Sequence, residues 1–128
     1  MRGIGIYCDF SNSSPFFFFW IFRKEYRVGR RESDFQAKLI KDIEQQFPGS
    51  IVTKLDSSHI QGIPDLLILY RDKWATLECK KSERDYRNNK RPNQDIYVDR
   101  MNNMSFSRFI YPENREEVLS ELYQAFES

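Results

Sequence analysis

Histidine is nearly absent and cysteine is scarce: the 128 residues hold one His, His59, and two Cys, Cys8 and Cys79. The cysteines show no Cys-x-x-Cys spacing, so a zinc site of the usual Cys/His type lacks its ligands. A disulfide-stapled secreted fold is disfavoured on the same ground, and a reducing, cytoplasmic setting is expected. There is no long apolar run either. The longest, Pro15 to Phe22 (PFFFFWIF), spans 8 residues, against the roughly twenty that a membrane-crossing helix needs. Its main positive cluster follows it and no small-residue cleavage site is evident, which argues against a signal peptide. No membrane partner is expected. Net charge is lacking as well: 20 basic against 19 acidic side chains leave +1, a sum that argues neither for nor against a polyanion.

What is present is unevenly placed. Residues 23–31 (RKEYRVGRR) carry five basic side chains and one acidic, and residues 80–91 (KKSERDYRNNKR) carry six and two. From Glu113 to Ser128 there are five Glu and one Arg. A basic middle and an acidic end give a near-neutral protein that can still present one positive face. The length suits one domain with a real core. We read residues 1–29 as an appendage and residues 30–128 as that domain, without repeats or an internal linker.

The domain reads as α-β-β-β-α-β-α, an α/β layer structure with a mixed sheet of about four strands. Phe35, Leu39, Ile40, Ile43 and Phe47 have the spacing of one helix face, and Pro48-Gly49 stops that helix. Glu32 heads the stripe, either as a first-turn partner of the helix dipole or looking into a site at the sheet. Ser50–Leu55 reads as a first strand. Pro64–Tyr70 reads as a second, apolar enough to be buried on both faces. After a short turn at Arg71-Asp72-Lys73, Trp74–Lys81 reads as a third. Pro92 opens a second helix with Ile96, Val98 and Met101 as apolar contacts. Phe106–Tyr111 is a further strand, and Pro112 leads into a last helix with Val118, Leu119, Leu122 and Phe126 inward.

The second and third strands form an antiparallel hairpin. Reflection about its turn sets Asp65 opposite Glu78 or Cys79. Glu78 and Lys80, two apart, share a face, and directly opposed residues have Cβ atoms about 5 Å apart. Asp65, Glu78 and Lys80 therefore converge inside an apolar strand pair, where unpaired charge is unfavourable by several kcal/mol. An internal salt bridge would satisfy the lysine and leave surplus negative charge. A divalent cation removes that surplus, and carboxylate oxygens with the backbone carbonyl of Cys79 suit magnesium, which keeps several waters. A cation beside a lysine, with no nucleophilic side chain in the set, points to hydrolysis by water, Lys80 either handling the water or stabilising the charged phosphate. The basic residues Lys81, Arg84, Arg87, Lys90 and Arg91 are placed to hold a phosphodiester backbone. Tyr86 and Tyr97 either stack on bases or pack.

Ile63-Pro64-Asp65, followed thirteen residues after the aspartate by Glu78-Cys79-Lys80, resembles the signature of the PD-(D/E)XK nuclease superfamily. The likeness is nearest to its small stand-alone VRR-NUC nucleases and Holliday-junction resolvases. These have an early helix with a Glu, a Gly-x-Pro-Asp strand, a Glu-x-Lys strand and a helix with a Gln, at positions matched here by Glu32, Gly62 to Asp65, Glu78 to Lys80, and Gln94. The resemblance covers roughly residues 30–126 and implies a restriction-endonuclease-like core cutting DNA with Mg2+, or Mn2+ as substitute, and no small-molecule cofactor. It implies Asp65 and Glu78 as metal ligands, Lys80 as the catalytic lysine and Glu32 as a further ligand, direct or through water. Gln94 would position the water or a phosphate, and His59 lies where it can meet a phosphate. The activity implied is an endonuclease selective for branched DNA (flap or junction) in replication, repair or recombination. A homodimer would cut both strands symmetrically, with the aromatic appendage as its interface. The alternatives are a catalytically inactive DNA-binding module on the same fold and a plain structural hairpin.

Overall fold

The computed structural model describes residues 31–128. The expected appendage over residues 1–29, with Cys8 and the aromatic run, lies outside the described residues. The first helix, α1 (Glu32–Gln46), buries Phe35, Leu39 and Ile43 along one face, as the periodicity requires. It ends where Phe47 leaves helical geometry and Gly49 turns the chain at φ +90°. Strands β1 (Ile51–Lys54), β2 (Leu66–Tyr70) and β3 (Lys73–Cys79) follow. Then come helices α2 (Glu83–Asn88) and α3 (Gln94–Met104), strand β4 (Phe106–Ile110), a 3-10 turn at Pro112–Asn114 and helix α4 (Arg115–Glu127).

The protein is thus α/β, with an open, mixed, four-stranded sheet in the order β1-β2-β3-β4. β1, β2 and β3 are antiparallel neighbours and β4 runs parallel to β3. A parallel neighbour demands a crossover of a dozen residues or more, which α2 and α3 supply. Residues 80–91 were expected as a basic stretch without a helix, so α2 corrects the element order. Its signal is local: Ser82 caps it by accepting the N–H of Asp85 at 3.0 Å, and Glu83 and Asp85 in its first turn complement the helix dipole.

α1 and α4 cover one face of the sheet. Leu66, Ile68, Ala75, Leu77 and Cys79 point into that layer with Phe35, Leu39, Leu119 and Leu122. Val118 and Phe126 lie there too, completing the stripe expected for α4. Asp42 of α1 and Arg115 of α4 form an ion pair buried between the two helices. α3 lies on the opposite face, where the Thr76 hydroxyl reaches the Met101 sulfur at 3.4 Å.

Two expectations for packing are overturned. β2 is buried on one face only, and Leu69 on the other is 40% exposed beside Ile51, because among the described residues α3 sits over β3 and β4 rather than over β1 and β2. Ile96 is 55% exposed. With α3 starting at Gln94, the inward phase runs through Gln94, Val98 and Met101, and Ile96 falls outside it. Boundaries move as well. Lys73 pairs with Tyr70 and joins β3, leaving Arg71 and Asp72 as the turn. β2 starts at Leu66 rather than Pro64 and β3 ends at Cys79 rather than Lys81, so Asp65 and Lys80 flank the strands. α4 begins three residues after Pro112.

Leu39 is fully buried between α1 and the sheet. Leu39→Ala is expected to lower unfolding stability by about 3 kcal/mol, read as a lower urea midpoint at unchanged m value.

Candidate active site

The hairpin register pairs Leu66 with Leu77, which sets Asp65, the residue before β2, beside Glu78. Side chains alternate along β3, so Leu77 and Cys79 enter the apolar layer while Glu78 points to the α3 side. Asp65 is fixed by the backbone N–H of Cys79, which donates to its Oδ2 at 2.9 Å. Glu78 is 3% exposed, and Gln94, the first residue of α3, donates its side-chain amide to Glu78 Oε2 at 2.6 Å. Lys80 is 4% exposed just past the end of β3 and held there by its own N–H, which donates to the Ile110 carbonyl at 2.9 Å.

One glycine makes the assembly fit. Gly62, in the loop before Asp65, has φ +94°, and a Cβ there would stand 2.6 Å from Asn93 Cβ and 2.8 Å from its carbonyl carbon. The loop therefore lies directly against the residue that precedes Gln94, in a conformation that favours glycine. Asn93 itself is left-handed, at φ 71°.

These groups face a cleft of about 640 Å³. Asp65, Glu78, Lys80, Glu32 and Gln94 all line it. Glu32 is the first residue of α1, so it serves the helix end and faces the cleft at once. Of the expected phosphate-holding residues, Lys81 and Arg91 line the cleft, while Arg84, Arg87, Lys90 and His59 do not. Arg87 pairs with Glu83. The Lys90 ammonium pairs with Asp95 at 3.3 Å and lies 4.6 Å from the Tyr86 ring centre. Tyr86 packs on Phe109 and Tyr111, and Arg100 lies over Tyr97 at 5.5 Å. Sequence reasoning missed Arg31, which also lines the cleft; its signal was its place directly before Glu32 in a basic run.

The electrostatics are strained in one direction. Burial, then the charge of Asp65 and to a smaller degree Glu32, pushes the Glu78 carboxyl up to about 8, against the pull of Lys80 and Arg91. Burial raises Asp65 too, opposed by the Cys79 N–H, Lys80, Arg91 and a side-chain hydrogen bond with Glu78, the two carboxyls sharing a proton. Glu32 is raised by burial, then by Asp65 and Asp85. The internal salt bridge is not formed: among the described residues Lys80 makes no ion pair with a carboxylate, and its ammonium donates to the Asn89 carbonyl at 3.2 Å. Glu78 Oε1 is buried and accepts no hydrogen bond. The Cys79 thiol is raised well above its ordinary range by burial and packs as a small hydrophobe.

Among the described residues no group of three or more His, Cys, Asp or Glu side chains is placed to hold a metal ion. Magnesium asks for less, one or two carboxylates and several waters, and a buried carboxylate oxygen that accepts no hydrogen bond, beside a second carboxylate, fits that demand. No helix among the described residues is long and apolar enough to cross a membrane. No protein family, curated protein or solved structure matches the chain.

A carboxyl raised from 4.5 to about 8 on folding keeps its proton in the native state while the unfolded chain has lost it. Native protein then binds more protons than unfolded protein across that window, so stability falls as pH rises from about 4.5 to about 8 and levels off above. Metal-free protein is expected to show this fall in thermal melts, and Glu78→Gln to flatten it and melt higher than the parent at pH 8. An unchanged pH profile in the variant would refute this placement of charge.

Proposed function

We propose that the chain is a metal-dependent DNA endonuclease on a restriction-endonuclease-like core, hydrolysing phosphodiester bonds with Mg2+ or Mn2+. The observation that carries this reading is the buried Glu78 Oε1, which accepts no hydrogen bond and has only a shared proton to join it to the neighbouring Asp65, beside Lys80 in a polar cleft that basic side chains also line. Such an oxygen is unfavourable by about 1–3 kcal/mol or more unless something fills its lone pairs.

Asp65 and Glu78 would hold the cation with the Cys79 backbone carbonyl, and Glu32 would reach it directly or through water. What a divalent cation supplies when held there is Lewis acidity toward a phosphoryl oxygen and toward the attacking water. Gln94, anchored on Glu78, fixes the orientation of that carboxylate and offers its amide to a water or a phosphate oxygen. Lys80 lies near the carboxylates without pairing with them, so its ammonium is placed to stabilise negative charge developing on the phosphate. Arg31, Lys81 and Arg91, at the cleft walls, grip the flanking phosphates. Branched DNA is the proposed substrate class, in replication, repair or recombination. An inactive DNA-binding module is the weaker reading, because a protein that only grips DNA gains nothing from a cluster of acidic side chains facing the phosphate chain.

Incubation with supercoiled, flap, junction and single-stranded DNA, with magnesium, manganese or EDTA, tests the proposal. Cleavage that needs metal is expected. Asp65→Asn and Lys80→Met are expected to lower it by about 10²-fold or more while circular dichroism and DNA binding in calcium persist. If both variants cut normally, these residues do not form the active site.

A further inference from the structure

We propose that Asp85 is a positioning residue: through the side chain of Asn89 it fixes the carbonyl that holds the Lys80 ammonium at the cleft. The inference rests on the nuclease reading for its functional meaning, while its geometry stands on its own.

Lys80 ends in a flexible stem with three donors, and its side chain takes one hydrogen bond within the described residues, to the Asn89 carbonyl at 3.2 Å. Asn89 is where α2 stops, so its carbonyl is among those a helix leaves without an internal partner. Two bonds from Asp85 hold Asn89 in place. The Asn89 N–H donates to the Asp85 carbonyl at 2.9 Å, and the Asn89 side-chain amide donates to Asp85 Oδ1 at 3.0 Å. The other oxygen, Asp85 Oδ2, accepts the backbone N–H of Lys81 at 3.3 Å.

One carboxylate therefore straddles the end of a strand and the end of a helix. Because Lys81 follows Lys80 directly, the links close into a ring: Lys80 side chain, Asn89 carbonyl, Asn89 amide, Asp85 carboxylate, Lys81 N–H, Lys80 backbone. α2 buries none of its own residues fully; Tyr86 seats the helix on Phe109 and Tyr111, and the Asp85 bonds set where its last carbonyl lies. Without that carbonyl, the ammonium is left to the acidic side chains that already interact with it, Asp65, Glu78 and Glu32. An ion pair there would quench the charge of Lys80 and occupy the oxygens that a cation needs. The ring holds the two apart.

The polarity of the Asp85–Asn89 link allows a test by exchange. Asp85→Asn leaves one acceptor oxygen where the ring uses two, so either the Asn89 amide or the Lys81 N–H faces an NH2 group, and Asn89→Asp sets two carboxylates against each other. Made together, the substitutions restore one donor and one acceptor, keep the net charge, and leave an oxygen for the Lys81 N–H. Each single variant is expected to lower kcat on the DNA cut by the parent about tenfold, consistent with a small displacement of a reacting group. KM, and DNA affinity in calcium, should stay within about twofold. The double variant should recover most of the loss. Thermal melts of all four proteins separate this from unfolding. A double variant no faster than the slower single one, or single variants with parental kcat, overturns the proposal.

A second measurement does not depend on activity. In proton–nitrogen NMR spectra the Lys80 ammonium, assigned by its loss in Lys80→Met, should give a protected signal in the parent, lose it in each single variant and regain it in the double one. A signal that persists in the single variants overturns the proposal, whereas a parent that cleaves nothing sinks the nuclease reading and leaves this result to decide the geometry.

Discussion

The register of β2 against β3 decides on which side of the sheet each charged group lies. A two-residue turn at Arg71 and Asp72 joins the strands, and the pairing of Leu66 with Leu77 follows from it. Had the register slipped by one residue, Glu78 would point between α1 and α4, into a layer of Phe and Leu, and Leu77 would point into the cleft. β4 pins the same strand from the other side, in parallel, with Glu78 opposite Phe109. Pairing on both edges fixes β3 in place, as it does β2, and the strongest electrostatic conflict at the cleft sits on β3.

That conflict is local and graded. Glu78 is the most deeply buried of the acidic groups at the cleft and the most strongly shifted; Asp65 and Glu32 are less buried. Each has a partial remedy nearby: an amide for one oxygen of Glu78, a backbone N–H for Asp65, and the fields of Lys80 and Arg91 for all of them. None of these remedies fills the last lone pairs of Glu78. The protein tolerates this because the rest of the layer, from Phe35 through Leu122, is ordinary well-covered apolar packing, in which stability can be gathered without regard to the site.

Much of this was legible in the sequence because it follows from short periods. The stripe from Phe35 to Phe47, the hairpin and the convergence of Asp65, Glu78 and Lys80 need only the 3.6 and 2.0 repeats of helix and strand. Gln94 was reachable only by family resemblance, since nothing in its neighbourhood shows that a helix start lands beside Glu78. Ile96 misled because an apolar residue after a proline looks inward until the helix phase is known. α2 was hidden by its charge, which masks a Ser-x-x-Asp cap as a solvated run. The ion pair of Asp42 with Arg115 spans 73 positions of sequence, and no local pattern marks such a pair. Leu69 was misjudged because a strand reads as doubly covered until the width of the opposing helix layer is known.

Gly62 has a consequence for how this protein can change. Its missing side chain is the space into which Asn93 fits, so the loop carrying Asp65 and the helix carrying Gln94 meet without any padding between them. Ser57 and Gln61, a few positions earlier and at the mouth of the cleft, are exposed and free to drift through mutation, altering what the mouth admits. Position 62 has no such freedom, because even one added methyl group pushes backbone against backbone. Variation that alters what the cleft admits can therefore accumulate at the rim, while the seam beneath it stays fixed.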